Sequence, residues 1–402
     1  MTQLTLSTTG MGDYASNRPV AGDNAGPAID ALIHGHISSF VSHQPLMGLT
    51  SLILRAPFAG AAALLGGGSQ LAYGLGALAC LLPLVLLAAW VVGRRGLTNP
   101  QRLAGAIAAG MMLVGPATAE AAHIGHPEEV LAATLATAAV LVALRGRTGW
   151  SWLLLGLAVG TKQWALLAAP CVLLALPERR VATAIKAGAL ALVLSATLPL
   201  ADPAAFARAD SAVGGIGFAD PFSLWWPLGS PLSIPAHAAF APTAHLLPFG
   251  LTRSAAAAFG LVIALGSVWL YWSRSGDRRA RIDPLALLAL CGLARCLTDP
   301  DPLQYNFVAL LIPLAAWEAV ELGRLPLATA LALGAGALLN RGSVALNAGG
   351  GVHLTPAVLS ALSISWTVIL GCYLARRVVH ARAHHQIGEF SPIAPAATAQ
   401  GA

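Results

Sequence analysis

Charged side chains make up only 10% of this 402-residue chain, so a carboxylate or cation set among apolar or turn-forming neighbours stands out. Four groups do so. Asp23 lies in Gly22-Asp23-Asn24-Ala25-Gly26, about twenty residues ahead of His43-Gln44-Pro45-Leu46. His126, Glu128 and Glu129 cluster around Pro127, Lys162 interrupts an apolar run over 150–176, and Arg295 interrupts another. A carboxylate held beside a hydroxyl can take its proton. A lysine ammonium is a compact point charge suited to a phosphate, and an arginine fork also binds phosphate oxygens.

Each group has a plainer reading. Gly-Asp-Asn-Ala-Gly is an ordinary turn signal. Asp13 and Asp30 are the other carboxylates of that segment, and Asp30 leads into what reads as an amphipathic interfacial helix over 28–41. Pro127 suits a first helical turn, where Glu128 and Glu129 complement the helix dipole. Lys162 can snorkel from a helix end or join a structural ion pair. Arg295, costly if unpaired in an apolar run, has Asp299 one turn later as a partner. His126 and a glutamate beside Asp23 also suit a divalent metal, but three ligands over two loops lack tight spacing. The expected cofactor set is empty.

These groups need elements to hold them. With 56% hydrophobic residues and a mean hydropathy of +0.71, the chain reads as an all-α integral membrane protein. Spans are expected near 71–92, 103–119, 130–144, 183–200, 255–273, 284–297, 306–320, 325–340 and 357–375. By the positive-inside rule one set of connectors, holding sixteen of the 23 Lys/Arg and six of the 17 Asp/Glu, faces the cytoplasm. The net charge of +6 is therefore an orientation signal, and no arginine-rich stretch interleaved with aromatics points to nucleic acid. The five cysteines all lie in apolar runs and read as small buried hydrophobes.

The segment 150–176 tests that topology, because basic clusters flank it on both sides. Parity holds if it is a re-entrant pair of half-helices with its apex near Gly160-Thr161-Lys162-Gln163. Eleven residues of helix rise about 17 Å, short of the ~30 Å hydrocarbon core. A charged lysine at such an apex needs an anionic partner, and irregular backbone at that depth must line a protein cavity.

Taken together, the motifs resemble the GT-C superfamily of polytopic glycosyltransferases, most closely glycosyltransferase family 87. The resemblance rests on GDNAGPAIDALIHGHISSFVSHQPLMG (22–48), followed by an apolar stretch to Leu65, a glycine-rich break at 66–69 and a span. It rests also on GHPEEVLAATL (125–135), GLAVGTKQWALLAAP (156–170) and Asp220-Pro-Phe-Ser-Leu-Trp225-Trp226-Pro. It covers residues 12 to about 320. It implies an inverting transfer of a hexose, typically mannose, from a polyprenyl-phosphate carrier to an envelope glycan or glycolipid. Asp23 would be the base, with His126, Glu128 and Glu129 as a second acidic cluster near the acceptor. Lys162 and Arg295 would bind the donor phosphate. Gln44, Trp225, Trp226, Asp299 and Asp301 would belong to substrate loops, although a Trp pair beside a membrane also reads as an interfacial belt.

The expected layout is an external segment 1–70 carrying Asp23, a polytopic domain 71–375 and a cytoplasmic tail 376–402. That tail is basic at 376–385, where anionic lipid is the default partner, and Pro/Ala-rich beyond Ser391. The bundle should hold about nine full spans plus the re-entrant pair, with the active site outside the plasma membrane and the C-terminus in the cytoplasm. The family's first transmembrane helix precedes the loop aspartate. Residues 1–23 offer no apolar run, so an upstream start is expected. The rival readings are a secondary transporter, which broken helices and an intramembrane lysine would suit, and an inactive envelope-assembly protein.

Overall fold

The computed structural model describes residues 25–44, 47–214, 217–231, 244–252, 283–347 and 355–379, with helical pieces at 255–256, 258–262 and 265–266. Asp23, the expected base, and Asp13 lie outside the described residues, as does the tail beyond 379. So does most of the span expected at 255–273.

The described chain is mostly helical. In order the helices are α1 (Ala25–Ile33), α2 (Ile37–Ser42), α3 (Leu49–Leu64), α4 (Ser69–Val92), α5 (Asn99–Val114), α6 (Pro116–Ile124) and α7 (Pro127–Leu144). There follow α8 (Thr148–Val159), α9 (Ala168–Ala175), α10 (Arg180–Ala201), α11 (Pro203–Gly214), α12 (Pro284–Thr298), α13 (Val308–Val320), α14 (Leu327–Asn347) and α15 (Pro356–Val379). Among the described residues five segments are long and apolar enough to cross a membrane: 71–92, 99–124, 127–144, 180–201 and 356–378.

Helix α7 has no polar face beyond its first turn, and nearly its whole length is buried as such a pattern demands. It packs against α4, α8 and α13. Helix α13 is likewise buried almost throughout, between α12, α7 and α5. By contrast α10 and α15 expose most of their apolar surface, the face a bilayer would cover.

Three features depart from sequence expectation. The interfacial helix expected over 28–41 is two helices, α1 and α2, broken at His34–His36, where Gly35 takes a positive φ of 72°. The connector expected between 119 and 130 is mostly helix: the chain bends at Gly115, restarts on Pro116 and runs as α6 through Glu120 to Ile124. Third, a small antiparallel sheet stands beside the helices, with β1 (Phe218–Ala219), β2 (Ser230–Pro231) and β3 (His245–Leu246) in the order β1-β3-β2.

The segment 148–175 breaks where its sequence suggested. Helix α8 stops at Gly160, Lys162 is extended, and a 3₁₀ turn at Gln163–Leu167 leads into α9. Helices α8 and α10 run parallel. Trp152 meets Lys186, and a side chain added at Gly156 or Gly160 would strike Leu190 or Leu194, the same offset each time. Because only 176–179 link α9 to α10, α9 must end on the side where α8 began. The chain enters, turns at Gly160–Lys162 and returns.

Candidate functional site

The turn of that hairpin is held from outside. Gly48 N–H donates to the Thr161 carbonyl at 2.8 Å, and Thr50 N–H to the Gly160 carbonyl at 3.3 Å. Helix α3 therefore begins against the hairpin apex. Gln44, just before it, donates through Nε2 to the carbonyls of Leu198 and Asp202, at 2.8 and 3.0 Å. Its amide thus ties the segment before α3 to the end of α10 while its side chain lines the adjacent pocket.

Beneath this lid sits a five-membered ionic network. Lys162 Nζ lies 3.3 Å from Glu128 Oε1 and 3.4 Å from Glu129 Oε1. Arg295 reaches Glu129 Oε2 at 3.3 Å, and Arg55 approaches Glu128 Oε2 at 3.9 Å. Glu128 and Arg55 are fully buried, while Lys162 and Arg295 retain slight exposure. A single charge in such a place is expensive, and mutual pairing is what makes all five tolerable.

The two glutamates differ in what surrounds them. Glu128 points into the protein, where His126 Nδ1 lies 3.0 Å from Oε1 and the imidazole stacks on Tyr305 at 4.6 Å. Glu129 faces a cavity of about 480 Å³. There it accepts a 2.8 Å bond from Trp164 Nε1, and Arg295 lies over the same indole at 4.7 Å. Arg295 also donates to the Asn306 carbonyl at 3.0 Å.

The cavity is amphiphilic. Lys162, Arg295, Glu129 and Asp299 mark its polar end, and Val159, Leu194, Leu198 and Leu261 contribute an apolar wall. Asp299 accepts from the backbone of Asp301 and from Asn306 Nδ2, which shapes the loop after α12. Five sequence-selected residues thus meet on one surface: Gln44, Glu129, Lys162, Arg295 and Asp299. Glu128 and His126 stand behind that surface, as supports for Lys162. The plain capping reading of Glu128 and Glu129 is incomplete, since both side chains are engaged in the network across the helix start.

The tryptophan pair sits apart from this cavity. Trp225 is buried and donates to the Thr298 carbonyl at 2.8 Å, which pins the 218–231 loop onto the end of α12. Trp226 stacks on His245 at 4.1 Å beside the small sheet. Asp301 offers its carbonyl to Leu303 N–H and Asn306 within the same turn that carries Asp299.

Arg55, Trp164 and Tyr305 were not anticipated as site residues. Arg55 had a legible signal, a lone arginine in the otherwise apolar LTSLILRAPFAGAAAL of α3. Trp164 and Tyr305 carried none beyond adjacency to Lys162 and Asn306. Among the described residues no group of three or more His, Cys, Asp or Glu side chains is placed to hold a metal ion.

These features define the class, a mostly helical protein with helices long and apolar enough to cross a membrane and a charged, partly buried cavity behind a broken helix. No protein-family model matches this chain, and no curated protein matches it.

Proposed function

We propose that the chain transfers a hexose, with mannose the expected sugar, from a polyprenyl-phosphate carrier to an envelope glycan or glycolipid. The reaction would take place on the outer face of the plasma membrane, in a GT-C-type bundle. One observation carries this reading: a single cavity joins two cations, Lys162 and Arg295, to an apolar wall from α8 and α10. A lipid with a phosphate head has that same division of polar and apolar parts.

The chemistry follows from the groups. The acceptor hydroxyl gives its proton to Asp23 as its oxygen bonds to the anomeric carbon, with inversion. The bond from that carbon to the phosphate oxygen breaks, and its electron pair leaves on the phosphate. Lys162 and Arg295 offset the added charge, so no strong general acid is needed. Both cations are held by Glu129 before donor arrives. The arriving phosphate competes with that carboxylate, which frees Glu129 to hydrogen-bond the sugar or acceptor.

The test is hexose transfer in membranes from radiolabelled polyprenyl-phosphate mannose, comparing the full chain with Asp23→Asn and Arg295→Met at equal protein level. Product from the parent chain, reduced about 10²–10⁴-fold by Asp23→Asn, is the expected result for loss of a general base. Equal product from parent and Asp23→Asn would remove Asp23 from the mechanism and shift the base to Glu129. No product from the parent chain would favour transport. The half-buried, internally paired Lys162 at a helix break is the observation on which that second reading stands.

A further inference from the structure

We infer that the paired starts of α8 and α10 form a headgroup site for an anionic phospholipid, on the side of the bundle where the hairpin enters. The parallel packing of α8 and α10 brings Arg147, the residue before α8, and Arg179, the residue before α10, to one end of the bundle. Lys186 lies about two turns further along α10, with its ammonium 6.0 Å from the Trp152 ring. Arg147, Arg179 and Lys186 are all exposed.

Their charge is poorly offset. No ion pair within 4.0 Å involves these three among the described residues, and Glu178 is the single acid in the 176–179 turn. Arg180 is committed to the protein, donating from Nε to the Leu176 carbonyl at 2.8 Å. The first turns of two helices add their positive dipole ends to the same spot.

What adjoins the cations selects the partner. Val181 and Ile185, on one face of α10, are 74% and 66% exposed, and Trp150 is 57% exposed. Cations beside an uncovered apolar helix face and an interfacial tryptophan match a phosphate with acyl chains attached, and offer nothing comparable to a soluble anion. The site stands apart from the cavity at the hairpin apex, so it does not depend on the proposed transfer reaction.

The experiment uses the full chain in detergent, with phosphatidylglycerol or phosphatidylcholine added, and reads retained lipid by native mass spectrometry and the thermal midpoint. Phosphatidylglycerol should be retained more and raise the midpoint more. Arg147→Gln/Arg179→Gln/Lys186→Gln should lose that preference, at about fivefold in affinity per charge and roughly a hundredfold in all. Arg95→Gln/Arg102→Gln/Arg376→Gln, which removes three exposed cations elsewhere, should keep it. Each single variant is scored too, so a folding defect in the triple leaves the question answerable. Equal loss in both triples would overturn the site in favour of diffuse charge. So would equal effects of the two lipids, or protection by inorganic phosphate alone.

Discussion

Gly48 rests directly on Gly160: a Cβ on Gly48 would fall 1.8 Å from the Gly160 carbonyl oxygen. With the 2.8 Å bond from Gly48 N–H to the Thr161 carbonyl, this contact locks the start of α3 to the apex of the α8–α9 hairpin. Gly48→Ala cannot be accommodated without parting the two. It should cost about 1–3 kcal/mol, as overpacking does, and lower the thermal midpoint in detergent. An unchanged midpoint would mean that α3 and the apex are not in fixed contact.

Lys162 is held by two carboxylates, and its removal leaves both buried with less compensation. Lys162→Met should destabilise by about 3–5 kcal/mol, the range for breaking a buried ion pair. Adding Glu128→Gln should recover part of that loss, because the double variant removes a carboxylate along with its cation. Strict additivity of the two changes would place Lys162 and Glu128 outside contact.

Arg295 contacts Glu129, the Asn306 carbonyl and the Trp164 face at once, a geometry a planar guanidinium can meet and an ammonium cannot. If the proposed transfer holds, Arg295→Lys should keep the fold and lower kcat/KM by about tenfold or more, equivalent to one charge-assisted hydrogen bond of ~1.5–3 kcal/mol. A wild-type kcat/KM in Arg295→Lys would mean that only its charge matters.

At the opposite end of the bundle, burial raises the Glu321 carboxyl from 4.5 to about 7, with Asp283 adding to the effect and Arg94 and Arg145 opposing it. Burial raises Asp283 as well. An acid whose pKa is higher in the folded state binds its proton more tightly there. Its contribution is therefore complete below pH 4.5 and is lost as pH rises through about 7. The Glu321 side chain is nevertheless exposed at the surface, so solvent screening leaves only a small effect. Melting curves between pH 4.5 and 8 should show stability declining, with a flatter profile in Glu321→Gln. An identical profile in that variant would assign the decline to another group.

Much of the bundle could be read from composition, because apolar runs bounded by basic or acidic connectors leave little freedom. The hairpin turn at Gly160–Lys162 was legible for a sharper reason: a charged residue and glycines in the middle of an apolar run, with basic clusters on both flanks. The carboxylate partners of Lys162 were not legible. Nothing in Glu128-Glu129 says that α7 begins beside the hairpin, since that depends on how α7 and α8 pack. The structural use of the tryptophan pair was not legible either. Two adjacent Trp residues invite a ligand or membrane role, yet Trp225 is used to fasten a loop to the end of α12 through Thr298. The break at Gly115-Pro116 went unmarked inside the span expected at 103–119, and that span's helical continuation to Ile124 was not foreseen.

The Arg55–Glu128 contact has a consequence for the order in which the chain is made. Helix α3 leaves the ribosome well before α7, so its arginine is synthesised without its counter-charge. Until α7 arrives, an apolar site would hold that guanidinium without the Glu128 carboxylate, which favours keeping α3 at the water boundary. Its settling is then expected late in biogenesis, timed in part by another helix. With Leu52→Cys, a position fully buried in the folded protein, nascent chains halted before Glu128 should leave the thiol open to an aqueous reagent, and chains extended past α8 should shield it. Equal labelling at both lengths would show that α3 seats itself unaided.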